Sequence, residues 1–186
     1  MMFSPLLATL SYRTIKVLQT RLLLAALLLF THNLAAEEGN TLEYKVKAGY
    51  LYNFTKFVFW VKDESPTFNL CIVGNDPFGL LINPIEQQKT SGRAIKLIRS
   101  NHFSNSPHCH LIYLAKNAPN IGNANNSLLV CEEADFTKKH CMIGFKNADD
   151  KIRLEINVPL LTKNHLKISA KLLEVAQTVI QGDSND

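Results

Sequence analysis

Between residues 41 and 61 the apolar side chains Leu42, Val46, Tyr50, Phe54, Phe57 and Val61 recur every three or four positions, the spacing of one face of an α-helix. The same stretch places Tyr52 and Phe59, seven residues apart, on the opposite side with Lys45 and Thr55 near them. A helix with two apolar faces can rest only one of them on a sheet. The other must meet a further helix, a second subunit or a partner, unless the helix lies in a groove and is buried almost all round.

The pattern then changes. FNLCIVG (Phe68 to Gly74) is a short apolar run of strand type, and Asp76-Pro77 behind it reads as an N-cap and a first-position proline, which predicts a helix over 77–88. RAIKLIR, after Gly92, alternates with period two as a half-buried strand does. HLIYLA (His110 to Ala115) is continuously apolar, as a strand covered on both faces would be. Lys116 to Asn126, with Pro119 and Gly122, reads as a loop or irregular helix before LLVC (Leu128 to Cys131), and a short helix is expected at Glu133 to Lys138. Cys141 to Lys146 and IRLEIN (Ile152 to Asn157) flank the turn signal NADDK and predict a hairpin. Pro159 opens a short helix, and Ser169 caps a final one with its stripe at Leu172, Leu173, Ala176, Val179 and Ile180. Strands alternating with helices predict an α/β fold, a single three-layer domain with a mixed, mostly parallel central sheet flanked by helices.

The amino-terminal 36 residues follow another logic. Arg13, Lys16 and Arg21 precede LLLAALLLF (Leu22 to Phe30), and THNLAA ends in small residues before Glu37. Basic, apolar and small segments in that order read as a secretory signal peptide over residues 1–36, cleaved near Ala36, with the domain proper at 37–186. The apolar run is about half the length of a membrane-spanning helix. Export also alters the charge. The whole chain carries +4, and three of its basic residues lie in the signal, which contains no acid, so the remainder carries only +1. No Lys/Arg cluster persists there, which removes nucleic acid as a partner.

Cys71, Cys109, Cys131 and Cys141 all lie in the exported part, where an oxidising compartment lets them pair. Three connectivities exist and spacing cannot choose among them. Cys71 with Cys109 and Cys131 with Cys141 is the expected pairing, the second because its members sit on two runs that read as successive strands; buried unpaired thiols are the alternative.

Chemistry-bearing motifs are scarce. GxSxG, HExxH, GxxxxGK[ST] and GxGxxG are all missing, so an enzyme is not expected, nor is a cofactor. His108-Cys109-His110 contains good metal ligands, but neighbours along a strand point to opposite faces and the three would not converge; no metal is expected. GNDPFG (Gly74 to Gly79) offers a helix start that could hold an anion, although the Asp76 carboxylate would itself occupy that place.

VKAGYLYNFTKFVFW, LCIVGNDPFG, CHLIYLA, MIGF, RLEIN and LKISAKLL, in this order and spacing from about Leu42 to Val179, resemble the YfiR family of periplasmic proteins. Two places depart from the family's pattern. Its first helix commonly ends in an acidic residue, Trp and Pro, where this chain has Phe59, Trp60 and Val61, and a Gly-Gly pair is common where His140-Cys141 stands. The resemblance implies a periplasmic repressor that binds the sensor part of a membrane diguanylate cyclase, lowering cyclic di-GMP and biofilm formation. It also implies a homodimer, sequestration by an outer-membrane lipoprotein, a response to redox state through the disulfides, and a family bridge at positions like Cys71 and Cys109. Tyr52, Phe59, Lys45 and Lys56 are the candidate partner-binding residues. A periplasmic small-molecule binding domain, with its pocket near Gly74 to Phe78, is the second functional expectation.

Overall fold

Strands buried on both faces need side chains that are apolar without alternation, and three such runs form the centre of the sheet in a computed structural model of the chain. They are β2 (Thr67–Val73), β5 (Leu111–Leu114) and β6 (Leu128–Cys131), whose side chains are almost all buried. The structure describes residues 17, 19, 21, 41–61, 64–103, 108–116, 118–119, 121, 126–132, 141–149 and 151–182. By compactness the chain divides after Leu42, and the unit from Glu43 onward holds the sheet. Of the expected signal peptide only residues 17, 19 and 21 are described, each helical and exposed. The helix expected at Glu133 to Lys138 lies outside the described residues. Among the described residues no helix is long and apolar enough to cross a membrane.

The remaining elements, in chain order, are α1 (41–57), β1 (Val58–Phe59), a 3-10 helix (Gly79–Gln87), β3 (Lys89–Thr90), β4 (Arg93–Ser100), β7 (Ile143–Ala148), β8 (Lys151–Asn157), α2 (Val158–Lys163), β9 (Lys167–Ile168), α3 (Ala170–Glu174) and β10 (Thr178–Ile180). One sheet runs β10-β8-β7-β6-β5-β2-β4-β3 and is mostly parallel; β7 with β8 and β3 with β4 are antiparallel. The fold is α/β with a mixed, mostly parallel sheet, as the alternation of elements predicts. β1 and β9 make a separate antiparallel pair, Val58 opposite Ile168 and Phe59 opposite Lys167.

Register aligns the core. Leu70, Leu111 and Leu128 lie side by side across β2, β5 and β6, as do Ile72, Tyr113 and Val130. On the same face Tyr113 and Phe145 have ring centroids 6.4 Å apart, and α1 adds Tyr50 and Phe54, both within about 6 Å of Phe145. Cys71 and Cys131 alternate with these residues and so point to the opposite face, where the structure joins Cys71 to Cys109 and Cys131 to Cys141 with Cα separations of 5.9 and 6.0 Å.

Several boundaries differ from expectation. The first helix ends at 57 rather than 61, because Val58-Phe59 are drawn into pairing with β9, and four aromatic or β-branched residues in a row suit a strand better than a further helical turn. Its buried stripe is also rotated: Lys47, Leu51, Phe54 and Thr55 face inward, whereas Leu42 and Val46 are exposed. A paired Lys and a hydrogen-bonded Thr are polar in sequence and hide that stripe. The helix expected over 77–88 is a 3-10 helix beginning at Gly79, with Pro84 inside it. The last helix stops at Glu174; Val179 and Ile180 belong to β10, paired with Ile156 and Asn157 of β8.

Candidate partner-binding surface

α1 has no glycine C-cap, so its last carbonyls take partners from distant segments. The Thr90 hydroxyl donates to the Thr55 carbonyl at 2.8 Å and the Ser169 N–H to the Phe57 carbonyl at 2.9 Å. These bonds fix where the helix ends and hand the chain to β1 with Phe59 facing outward, 57% exposed. Beyond it Val61 is 55% exposed. Lys167, opposite Phe59 in the antiparallel pair, shares its face.

A groove of about 670 Å³ opens beside this corner, against the first residues of β2 and β4. Its floor is aromatic. Trp60 meets Phe68 edge-on at 5.0 Å, Phe68 stacks with His110 at 4.7 Å, and the Trp60 indole N–H donates to the His110 carbonyl at 2.8 Å. Its walls are basic: Lys56 from α1, Lys89 from β3 and Arg93 from β4, the last over the Phe68 ring at 5.7 Å and 3.2 Å from His110 Nε2. No described residue lining it is acidic. Ser91 and Gly92, which join β3 to β4, have φ of 49° and 79°, the two left-handed positions of a type I′ turn, and this tight turn holds Lys89 and Arg93 close together.

Three of the four candidate contact residues meet here. Lys56 and Phe59 line the groove. Tyr52 stands behind Lys56, whose ammonium lies 4.1 Å from its ring, and its hydroxyl donates to Gln88 Oε1 at 3.1 Å. Tyr52 is therefore half-buried and shapes the wall. Lys45 shares the helical stripe of Tyr52 and Lys56 but lies two turns away, on exposed helix outside the groove. Lys89, Arg93, Trp60 and Phe68 were not among the residues expected from sequence; the KTSGR turn between β3 and β4 was the signal, since a Gly-containing two-residue loop brings its flanking cations together.

The opposite end of α1 is held by a buried ion cluster. Lys47, 2% exposed, reaches Glu43 and Glu132, each with N···O of 2.5 Å, and its ammonium lies 4.8 Å from the Tyr44 ring. Burial works to raise the Glu43 carboxyl, but the hydrogen bond and charge of Lys47 together with a hydrogen bond from Asn147 outweigh it and hold the group below its usual range. Burial, then the charge and hydrogen bond of Glu132, push the Tyr44 phenol up.

The two other candidate sites are used structurally. Asp76 accepts the Phe78 N–H at 2.8 Å and the Arg99 Nε–H at 2.6 Å, so a carboxylate already fills the place an anion would take. Cys109 is in a disulfide, and His110 accepts the Asn69 N–H on Nδ1 at 3.0 Å. Among the described residues no cluster of His, Cys, Asp and Glu has metal-binding geometry.

Comparison with curated proteins yields no significant match. The YfiR/HmsC-like family model matches residues 44–177, from the first buried turn of α1 to the entrance of β10. The chain belongs to the YfiR/HmsC-like family.

Proposed function

We propose that this protein is a periplasmic repressor that binds the sensor part of a membrane diguanylate cyclase through the corner formed by the end of α1 and β1. Family membership supports a regulator in a periplasmic diguanylate cyclase system. The observation that carries the finer reading is the exposed Phe59 and Val61 beside Lys56: one large apolar side chain held outward by the pairing of β1 with β9 and another just beyond it, with cations at the rim, match the composition of protein interfaces. Such a regulator needs no catalytic group. It works by binding the inactive cyclase more tightly than the active one, since equal affinity would shift nothing. Residues 1–36 would deliver it to the periplasm as a cleaved signal, and a homodimer and an outer-membrane lipoprotein belong to the same proposal.

The test is co-expression with membrane cyclases of the same genome, with cyclic di-GMP as the readout. The chain should lower cyclic di-GMP, Phe59→Glu should abolish the drop, and the melting temperature of that variant should be unchanged because Phe59 contributes little to the core. No drop with any cyclase would overturn the reading.

A solute-binding reading would use the strand ends near Gly74 to Phe78. Among the described residues there, Phe78 is buried against Tyr113, and a Cβ on Gly74 would come within 3.1 Å of the Ala118 Cα.

A further inference from the structure

We infer that a small amine binds as its ammonium ion beneath the first turns of α1, donating hydrogen bonds to Glu132 Oε2 and the Tyr113 hydroxyl between the rings of Tyr44, Phe78 and Phe145. This goes beyond the repressor reading and does not depend on it.

The Glu132 carboxylate is satisfied on one oxygen alone. Its Oε1 accepts from the Lys47 ammonium and, at 3.1 Å, from the Tyr44 hydroxyl, whereas Oε2 is buried and has no donor. The Tyr113 hydroxyl is in the same state, its residue fully buried and its oxygen without a partner. A buried oxygen left bare is costly, a charged one above all, so these two mark the place of a missing donor. They face one region. Glu132 lies two residues beyond Val130, the register partner of Tyr113, so both side chains lean toward α1, and the Glu132 N–H donates to the Leu114 carbonyl at 3.1 Å. A ring of contacts surrounds them: Tyr113 meets Phe78 edge-on at 4.8 Å, Phe78 meets Tyr44 edge-on at 5.5 Å, the Lys47 ammonium lies 4.8 Å from the Tyr44 ring and 5.6 Å from that of Phe145, and Phe145 returns to Tyr113 at 6.4 Å.

Charge selects the ligand. Among the described residues Glu43 and Glu132 share a single cation, Lys47, so the cluster carries one negative charge in excess. A cation with N–H groups meets the excess charge, the bare carboxylate oxygen and the hydroxyl together, and aromatic faces attract it. A water molecule would leave the charge as it is. Position agrees. β2 has β4 on one side and β5 on the other, both parallel to it, so the strand order reverses at β2, and open α/β sheets bind ligands at the carboxyl ends of the strands beside such a reversal. Phe78 follows β2, Tyr113 lies near the end of β5, and Glu132 follows β6.

The test is thermal unfolding of the protein purified after expression of the full chain, with methylammonium chloride as the probe and potassium chloride and tetramethylammonium chloride at equal ionic strength beside it. Methylammonium should raise the melting temperature progressively with its concentration, as a ligand of the folded state alone does. Potassium and tetramethylammonium, which have no N–H to donate, should not. Tyr113→Phe removes only the hydroxyl: without amine its melting temperature should be no lower than that of wild type, because an unpartnered oxygen is lost, and its apparent Kd for methylammonium should be about tenfold weaker. Glu132→Gln should abolish the response, and if that variant does not fold, Tyr113→Phe decides alone. No response, an equal response to potassium or tetramethylammonium, or an unaltered response in Tyr113→Phe would overturn the inference. A Tyr113→Phe protein less stable than wild type in the absence of amine would show that an internal water already holds the hydroxyl, and would overturn it too.

Discussion

Lys47 is an apolar-stripe position occupied by a charge, and it is tolerated because two carboxylates meet it inside the fold. Removing the cation leaves Glu43 and Glu132 close together without compensation, so Lys47→Met should cost about 3 kcal/mol, measured by urea unfolding at neutral pH. The pH dependence comes from the sign of the Glu43 shift. Because its carboxyl is held below the ordinary 4.5, its contribution is complete above that value and is lost as pH falls through the lowered one. The gap between wild type and Lys47→Met should therefore narrow below about pH 4.5; a gap constant from pH 7 to pH 3 would show that lost packing, not charge, is responsible. Sequence periodicity could not reveal this residue, since a lysine reads as solvent-facing until its partner, 85 positions away, is in place.

At the scale of elements, local chemistry is legible at Pro159 and Ser169, whereas Asp76, expected as an N-cap, accepts the Phe78 N–H in the turn before a helix that begins at Gly79 without a side-chain cap. Asn157 accepts the Leu160 N–H at 3.0 Å with Pro159 in the first turn of α2, and Ser169 accepts the Leu172 N–H at 3.4 Å at the start of α3. Ser169→Ala should cost about 1 kcal/mol in a urea titration; an unchanged midpoint would mean that the Ser169 N–H bond to Phe57, which alanine keeps, is what holds the junction. Element ends without such local signals were misplaced. α1 stops where β9 captures residues 58 and 59, and α3 stops short of residues 178 to 180, which β8 captures. In both places an apolar spacing compatible with a helix was overridden by hydrogen bonds to a strand that only the fold supplies.

At the largest scale, the unit from Glu43 onward is cross-linked by two disulfides on one face of its sheet. Cys71–Cys109 closes 38 residues and Cys131–Cys141 closes 10. On loop length alone, the Ser/Ser variant of the first pair should lose about 4 kcal/mol and that of the second about 3, measured by denaturant unfolding under oxidising conditions. The reverse order would show that native packing around Cys131 and Cys141, beside the Glu132 anchor, outweighs the chain-entropy effect. Neither variant touches the groove directly, so repression measured at a temperature where both remain folded should persist.

Local sequence is enough to specify the strands β2, β4, β5, β6, β7 and β8, the hairpin, the helix cap at Ser169, and a family resemblance that the match over residues 44–177 shares. Each of these depends on nearest neighbours: continuous burial demands continuous apolar side chains, a cap needs one oxygen at one position, and a tight turn needs residues tolerant of positive φ. Only the assembled fold settles where α1 ends, which of its faces is buried, and that Phe59, Lys56, Lys89 and Arg93 surround one groove. Those depend on contacts between Thr55 and Thr90, Phe57 and Ser169, and Lys47 and Glu132. Pairings between residues so far apart leave no period along the chain, because their geometry exists only after the sheet has assembled.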